Sequence, residues 1–154
     1  MTEVSQVLIV EASFYPDIAD ELANGAVAVL AAAGISYDRI EVPGTFEVPA
    51  AIRYAVHSME FHAGPNNYNG FIALGCVIRG ETDHYDHICR ETSRALMDLT
   101  LTYSLAIGFG ILTCDTREQA FSRAATDQKN KGADAAQACL RMMEIKNHLH
   151  LSHQ

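Results

Sequence analysis

Short, almost unbroken apolar runs alternate along this chain with longer stretches in which apolar residues recur every three or four positions. VSQVLIVEA (4–12), FIALGCVI (71–78) and IGFGILTC (107–114) are the runs. Their length and β-branched content mark strands covered on both faces. SYDRIEV (36–42), more polar, is a fourth strand ending at Pro43-Gly44. Between the runs the spacing becomes helical. PDIADELANGAVAVLAAAG (16–34) puts Ile18, Leu22, Val29 and Leu30 on one face, with Pro16 in the first turn and Gly34 placed to stop it. VPAAIRYAVHSME (48–60), HICRETSRALMDLTLTYSL (87–105), REQAFSRAA (117–125) and ADAAQACLRMMEIKNHL (133–149) are the other helices, the third of these capped by Asp115 or Thr116. HAGPNNYNG (62–70) reads as a surface loop, TDQKNKG (126–132) as a polar linker and HLSHQ (150–154) as a frayed tail.

The order βαβαβαβαα, with crossover helices of this length, predicts a parallel sheet with helices on both faces and right-handed connections. The expected fold is α/β: a three-layer α/β/α sandwich with a four-stranded parallel sheet, flavodoxin-like, forming a single domain over residues 1–154. Periodicity leaves the strand order undetermined.

Composition narrows the function. A chain of 154 residues, 49% hydrophobic, can bury a sizeable core. Its net charge of −8 argues against general nucleic-acid binding, which needs a basic surface, but not against a small anionic substrate. No charged-then-apolar leader opens the sequence and no apolar span reaches membrane length, so the expectation is a cytoplasmic protein without a membrane partner. Cys76, Cys89, Cys114 and Cys139 are widely spaced with no CxxC pair, as expected of reduced and mostly buried thiols.

In an open parallel sheet, ligands bind beyond the carboxyl ends of the strands. ASFYP, PGTFE, RGETDH and CDT follow the four strands and should therefore share one edge. His84 and His87 lack a third ligand at a recognised zinc spacing, so no metal is assigned. Neither GxxxxGK[ST] nor a GxGxxG after the first strand is present, which argues against a bound nucleotide cofactor. Gly80 allows a turn in which the N–H groups of Glu81 and Thr82 face an anion; a plain glycine turn with a Thr cap fits the spacing equally well. His84 is the strongest acid–base candidate by residue type, against the alternative of a surface histidine. Phe14 and Phe46 either offer rings to a flat heterocycle or pack in the core, and Glu47 is suited to hydroxyl groups. A nucleophile elbow and a Cys–His pairing are both missing from the spacing, so covalent catalysis has no support.

VPGTFEVP, ALGCVIRGETDHYD, FGILTCDTREQAFSRA and NKGADAA, in this order and spacing, resemble the 6,7-dimethyl-8-ribityllumazine synthase family from the first strand to the last helix. The resemblance implies the penultimate step of riboflavin biosynthesis, in which a ribitylamino-substituted aminouracil condenses with a dihydroxybutanone phosphate. It implies no metal and no organic cofactor. Phe14 would stack on the pyrimidine, Thr45, Phe46 and Glu47 would hold the uracil and ribityl chain, and Cys76, Val77 and Ile78 would line the ring. Glu81, Thr82 and Arg123 would take the phosphate, His84 would transfer protons, and Phe109 and Lys131 match the remaining site positions. Phe109 and Arg123 do not belong to the carboxyl edge, so a neighbouring copy should supply them. The family builds its sites between subunits of a homopentamer, in some members packed further into a hollow capsid. The rival reading is a non-catalytic oligomeric relative that binds flavins or lumazines.

Three positions depart from the family pattern. Asp127 occupies a lysine position in ATDQKNKG, with Lys129 nearby; Glu81 stands where a small neutral residue is common; and Thr45 replaces a common alanine. A carboxylate beside a phosphate weakens binding unless it points away. These changes bear on phosphate affinity more than on reaction type.

Overall fold

Four strands form one all-parallel sheet in the computed structural model, which describes residues 5–64 and 66–151. They are β1 (Gln6–Ala12), β2 (Ser36–Val42), β3 (Gly70–Ile78) and β4 (Ile107–Cys114), in the spatial order β2-β1-β3-β4. The helices are α1 (Pro16–Ala32), α2 (Val48–Glu60), α3 (His84–Tyr103), α4 (Arg117–Ala124) and α5 (Lys131–His148). A single 3-10 turn, Thr45–Glu47, precedes α2.

Alternation along the strands sorts the core onto two sides of the sheet. Val7 and Ile9 of β1, Ile72 and Leu74 of β3, and Leu112 and Cys114 of β4 face α1, α4 and α5. Leu8, Val10, Phe71, Ala73 and Ile111 face α2 and α3 through Val48, Ile52, Val56 and Leu96. Helices therefore cover both faces, and the two inner strands are buried almost throughout. This is the three-layer α/β/α sandwich of flavodoxin-like type, whose strand order reverses between β1 and β3.

The edge strands differ. β2 carries Asp38, Arg39 and Glu41, and Arg39 grips buried Glu11 of β1 through two hydrogen bonds of 2.7 and 3.0 Å. Charge of this kind discourages pairing with a foreign strand. β4 instead presents Phe109, which is 50% exposed.

Several boundaries move from the sequence expectation. α3 begins at His84 rather than 87, because its first turn is polar and leaves no apolar periodicity to read. Its end at Tyr103 is set by Ser104 in the left-handed conformation, φ 54°. α5 starts at Lys131, two residues before the expected 133, behind Asn130 at φ 50°. Of the two candidate caps of α4 it is Thr116 whose hydroxyl accepts the Gln119 N–H, at 3.2 Å. Gly34, at φ 69°, ends α1 as expected. Val4, Pro65 and the last three tail residues lie outside the described residues.

Candidate active site

The carboxyl ends of the strands open into a cleft of about 640 Å³. Phe14 and Tyr15 reach it from the β1–α1 segment, and Gly44, Thr45, Phe46 and Glu47 from the segment before α2. Cys76, Val77 and Ile78 form the end of β3, and His84 and Ile88 come from the first turns of α3. Each arrives by the same rule: a parallel strand ends, the chain turns, and the turn faces the edge.

Local sequence explains how the parts are held. Phe14 packs edge-on against Tyr15, with ring centroids 4.9 Å apart, and Arg117 of α4 binds Asp17 at the start of α1. Phe14 is 69% exposed and Phe46 60% exposed, so neither is the core residue that their type alone favoured. Thr45 is buried, and its hydroxyl has no hydrogen-bond partner among the described residues. It fills the notch over Gly75, where a methyl group would come within 2.7 Å of it. The Glu47 carboxylate stays in the cleft, folded back toward Gly44.

Electrostatics restrict which groups can react. Burial pushes the Cys76 thiol up to about 12, so it lines the cleft as a neutral group rather than a nucleophile. Burial likewise raises the Tyr15 phenol. Cys114 and Cys139 are buried and Cys89 is half-buried; all four thiols are free. Among the described residues no three His, Cys, Asp or Glu side chains converge as metal ligands would.

The turn between β3 and α3 carries Glu81 and Thr82 beside this cleft, exposed and outside its wall. The Thr82 hydroxyl accepts the N–H of His84 at 3.3 Å, a bond within the turn, while the N-cap of α3 is Asp83 and has no side-chain cap bond. The N–H groups of Glu81 and Thr82 themselves have no partner among the described residues. Asp83 pairs with His87 at 3.4 Å, and Asp86 faces Arg79 at 3.6 Å, so these four ionisable groups have surface partners.

The other expected site residues lie elsewhere on the chain. Phe109, Arg123 and Lys131 line a separate hollow of about 540 Å³ around the open edge of β4. Phe109 is level with Ala73, five residues before the end of β4, which is roughly 16 Å back along a strand. Arg123 donates to the Gln119 carbonyl at 3.3 Å and approaches Cys114 Sγ at 3.9 Å, with no carboxylate partner among the described residues. Lys131 meets Asp134 at 3.2 Å.

Sequence reasoning missed Tyr15, Gly44 and Ile88. Tyr15 and Gly44 sit inside segments already singled out, ASFYP and PGTFE, and adjacency was the available signal. Ile88 lies one helical turn beyond His84, a relation visible only once α3 is known to start at His84.

Residues 5–147 match the model of the 6,7-dimethyl-8-ribityllumazine synthase family. A protein of that name from Nitrobacter hamburgensis is 50% identical over 150 residues, covering 96% of this chain and 91% of that protein. One from Paramagnetospirillum magneticum is 46% identical, covering 97% and 99%. The 6,7-dimethyl-8-ribityllumazine synthase 1 of Rhodopseudomonas palustris is 51% identical, covering 96% and 91%.

Proposed function

This chain belongs to the 6,7-dimethyl-8-ribityllumazine synthase family, and on that premise we propose that the carboxyl-edge cleft is where its two substrates react. The protein is an enzyme of riboflavin biosynthesis. It condenses 5-amino-6-(D-ribitylamino)uracil with 3,4-dihydroxy-2-butanone 4-phosphate to give 6,7-dimethyl-8-ribityllumazine, releasing phosphate and water. The observation that carries the assignment of the cleft is convergence: eight expected residues, Phe14, Thr45, Phe46, Glu47, Cys76, Val77, Ile78 and His84, line one cavity from three separate strand ends.

In this reading Phe14 stacks on the pyrimidine, and Cys76, Val77 and Ile78 border the ring. Thr45 and Phe46 hold the uracil, and Glu47 accepts hydrogen bonds from the ribityl hydroxyls. His84 moves protons between the attacking 5-amino group, the ketone and the departing phosphate. Attack of the amine on the ketone, loss of water to the imine, loss of phosphate, and ring closure by the ribitylamino nitrogen with loss of a second water each need proton transfers between two oriented reactants. Orientation alone supports effective molarities of about 10⁵–10⁸ M. The unpartnered N–H groups of Glu81 and Thr82 suit the phosphate, with Arg123 as its cation.

Arg123, Phe109 and Lys131 reach that site from a neighbouring copy. The hollow at the β4 edge of one chain then closes the cleft of the next, in a homopentamer of heterologous contacts. Four free thiols suit a reducing cytoplasm, the proposed location. Among the described residues no helix is long and apolar enough to cross a membrane.

The test is to incubate purified protein with both substrates and follow lumazine fluorescence. The expected outcome is formation well above the spontaneous rate. A rate equal to the uncatalysed one would leave a non-catalytic binding relative instead.

A further inference from the structure

The turn that delivers His84 has little to hold it. Gly80 to Asp83 are exposed, and a methyl group at Gly80 would meet no atom within 4 Å. The turn meets the helix through the 3.3 Å bond from the His84 N–H to Thr82, and through Asp83, whose carbonyl accepts the His87 N–H at 3.2 Å. Both are contacts with α3 itself. A proton carrier on such a segment needs an anchor outside it.

Arg79 is placed as that anchor. Its backbone N–H donates to the Cys114 carbonyl at 2.9 Å, joining the end of β3 to the end of β4. Its Nε donates to Asp115 Oδ1 at 2.9 Å, on the turn that follows β4. Its guanidinium lies 4.3 Å from the Tyr85 ring centre and 3.6 Å from Asp86 Oδ1. Tyr85 and Asp86 directly follow His84 in the first turn of α3. One side chain thus ties the residues just after His84 to the turn that follows the neighbouring strand β4. Arg79 does not line the cleft, its Nε donates to Asp115, and Asp86 lies close to its guanidinium, so it acts through other groups rather than on substrate.

We propose that Arg79 is a positioning residue for the reaction: it clamps the β3–α3 turn and the first turn of α3 to the end of β4, and so fixes His84 against the substrates. This inference rests on the assignment of His84 as the proton carrier. The clamp is half-exposed, and exposed ion pairs add little to overall stability. Its loss should therefore appear in catalysis rather than in melting. Lysine cannot take its place fully, because it lacks both the Nε–H that meets Asp115 and the flat face that covers Tyr85.

The experiment compares Arg79→Ala, Arg79→Lys, Asp115→Asn and the double variant R79A/D115N with the wild-type protein. For Arg79→Ala we expect kcat to fall by tens of fold, up to about 100-fold, as for a misplaced catalytic group. KM for the butanone phosphate should rise, KM for the ribitylaminouracil should hold, and the melting temperature should barely move. Arg79→Lys should fall between, and R79A/D115N should be no worse than R79A, since Asp115 acts through Arg79. A merely structural role predicts the reverse, a lowered melting temperature with kcat and both KM values intact, and that result overturns the clamp. Independent, multiplying losses in the double variant also overturn it. A wild-type protein that forms no lumazine would defeat the activity assignment instead. The ring signals of isotope-labelled His84 then judge the clamp without turnover: in R79A they should shift and broaden, and unchanged signals refute it.

Discussion

His84 occupies the first position of α3, lining the cleft, and its N–H donates to the Thr82 hydroxyl. A general acid or base placed this way contributes about 10²–10⁴-fold in rate. His84→Ala should lower kcat within that range while ribitylaminouracil binding, proposed for Phe14 and Glu47, persists. Steady-state kinetics beside a direct binding titration check both halves. The thiols behave oppositely, as groups that must stay neutral. Burial pushes Cys139 up to about 12 from its ordinary 9.0. A thiol with a raised folded-state pKa contributes stability that is complete below the unfolded value and lost as pH climbs through the folded one. The melting temperature of the wild-type protein should therefore fall between about pH 9 and pH 12. In Cys139→Ser, which cannot ionise there, the fall should be shallower, and parallel slopes would refute it. At this scale residue type was a poor guide to Phe14 and Phe46, which are exposed at the cleft rather than packed in the core. A phenylalanine looks the same in a core and on a stacking platform until its neighbours are known.

Elements pack here by removing side chains. A methyl group on Gly132 would collide with the Leu22 carbonyl of α1, and one on Gly108 with the Ala135 carbonyl of α5. The NKGADAA motif is accordingly as much structural as chemical. Asn130 is the left-handed residue before α5, Gly132 and the alanines let α5 approach α1 and β4, and Lys131, Asp134 and Ala135 face the β4 hollow. Gly132→Ala overpacks this contact, and such strain typically costs about 1–3 kcal/mol. Urea unfolding should show a lower midpoint with an unchanged slope, and an unchanged midpoint would mean that the helices separate freely. Most elements were legible from periodicity, because each strand and helix buries a face. The starts of α3 and α5 were not, because their first turns are polar or glycine-bearing and carry no apolar pattern.

At the scale of the molecule, the proposed site residues fall in two separate places on one chain. The cleft has the stacking rings, the carboxylate and the histidine; the hollow at β4 has Phe109, Lys131 and an arginine without a carboxylate partner among the described residues. If neighbours complete each other, His84→Ala and Arg123→Ala chains, each feeble alone, should regain activity when co-expressed in one assembly. With random mixing about one site in four combines both intact halves in a ring of heterologous contacts. Recovery near that fraction supports shared sites, and activity no higher than the mean of the two variants would place each site within one chain. Sedimentation of the same preparations should give the mass of a pentamer or a multiple of it.

The order of apolar runs and helical stretches was sufficient for the layered sheet, and topology alone brought the post-strand segments to one edge. Motif spacing was sufficient for the family. These are properties of local pattern and chain connectivity, and both are written along the chain. The folded chain was needed for relations between residues far apart in sequence. It paired Arg79 with Asp115, left Arg123 without a carboxylate partner among the described residues, and set Phe109 at an open edge rather than in the core. Which charge is already neutralised, and which ring is left uncovered, depends on what else packs nearby. RGETDHYDH lists its ionisable groups in plain view, but only packing decides which of them hold the turn and which is left to face the cleft.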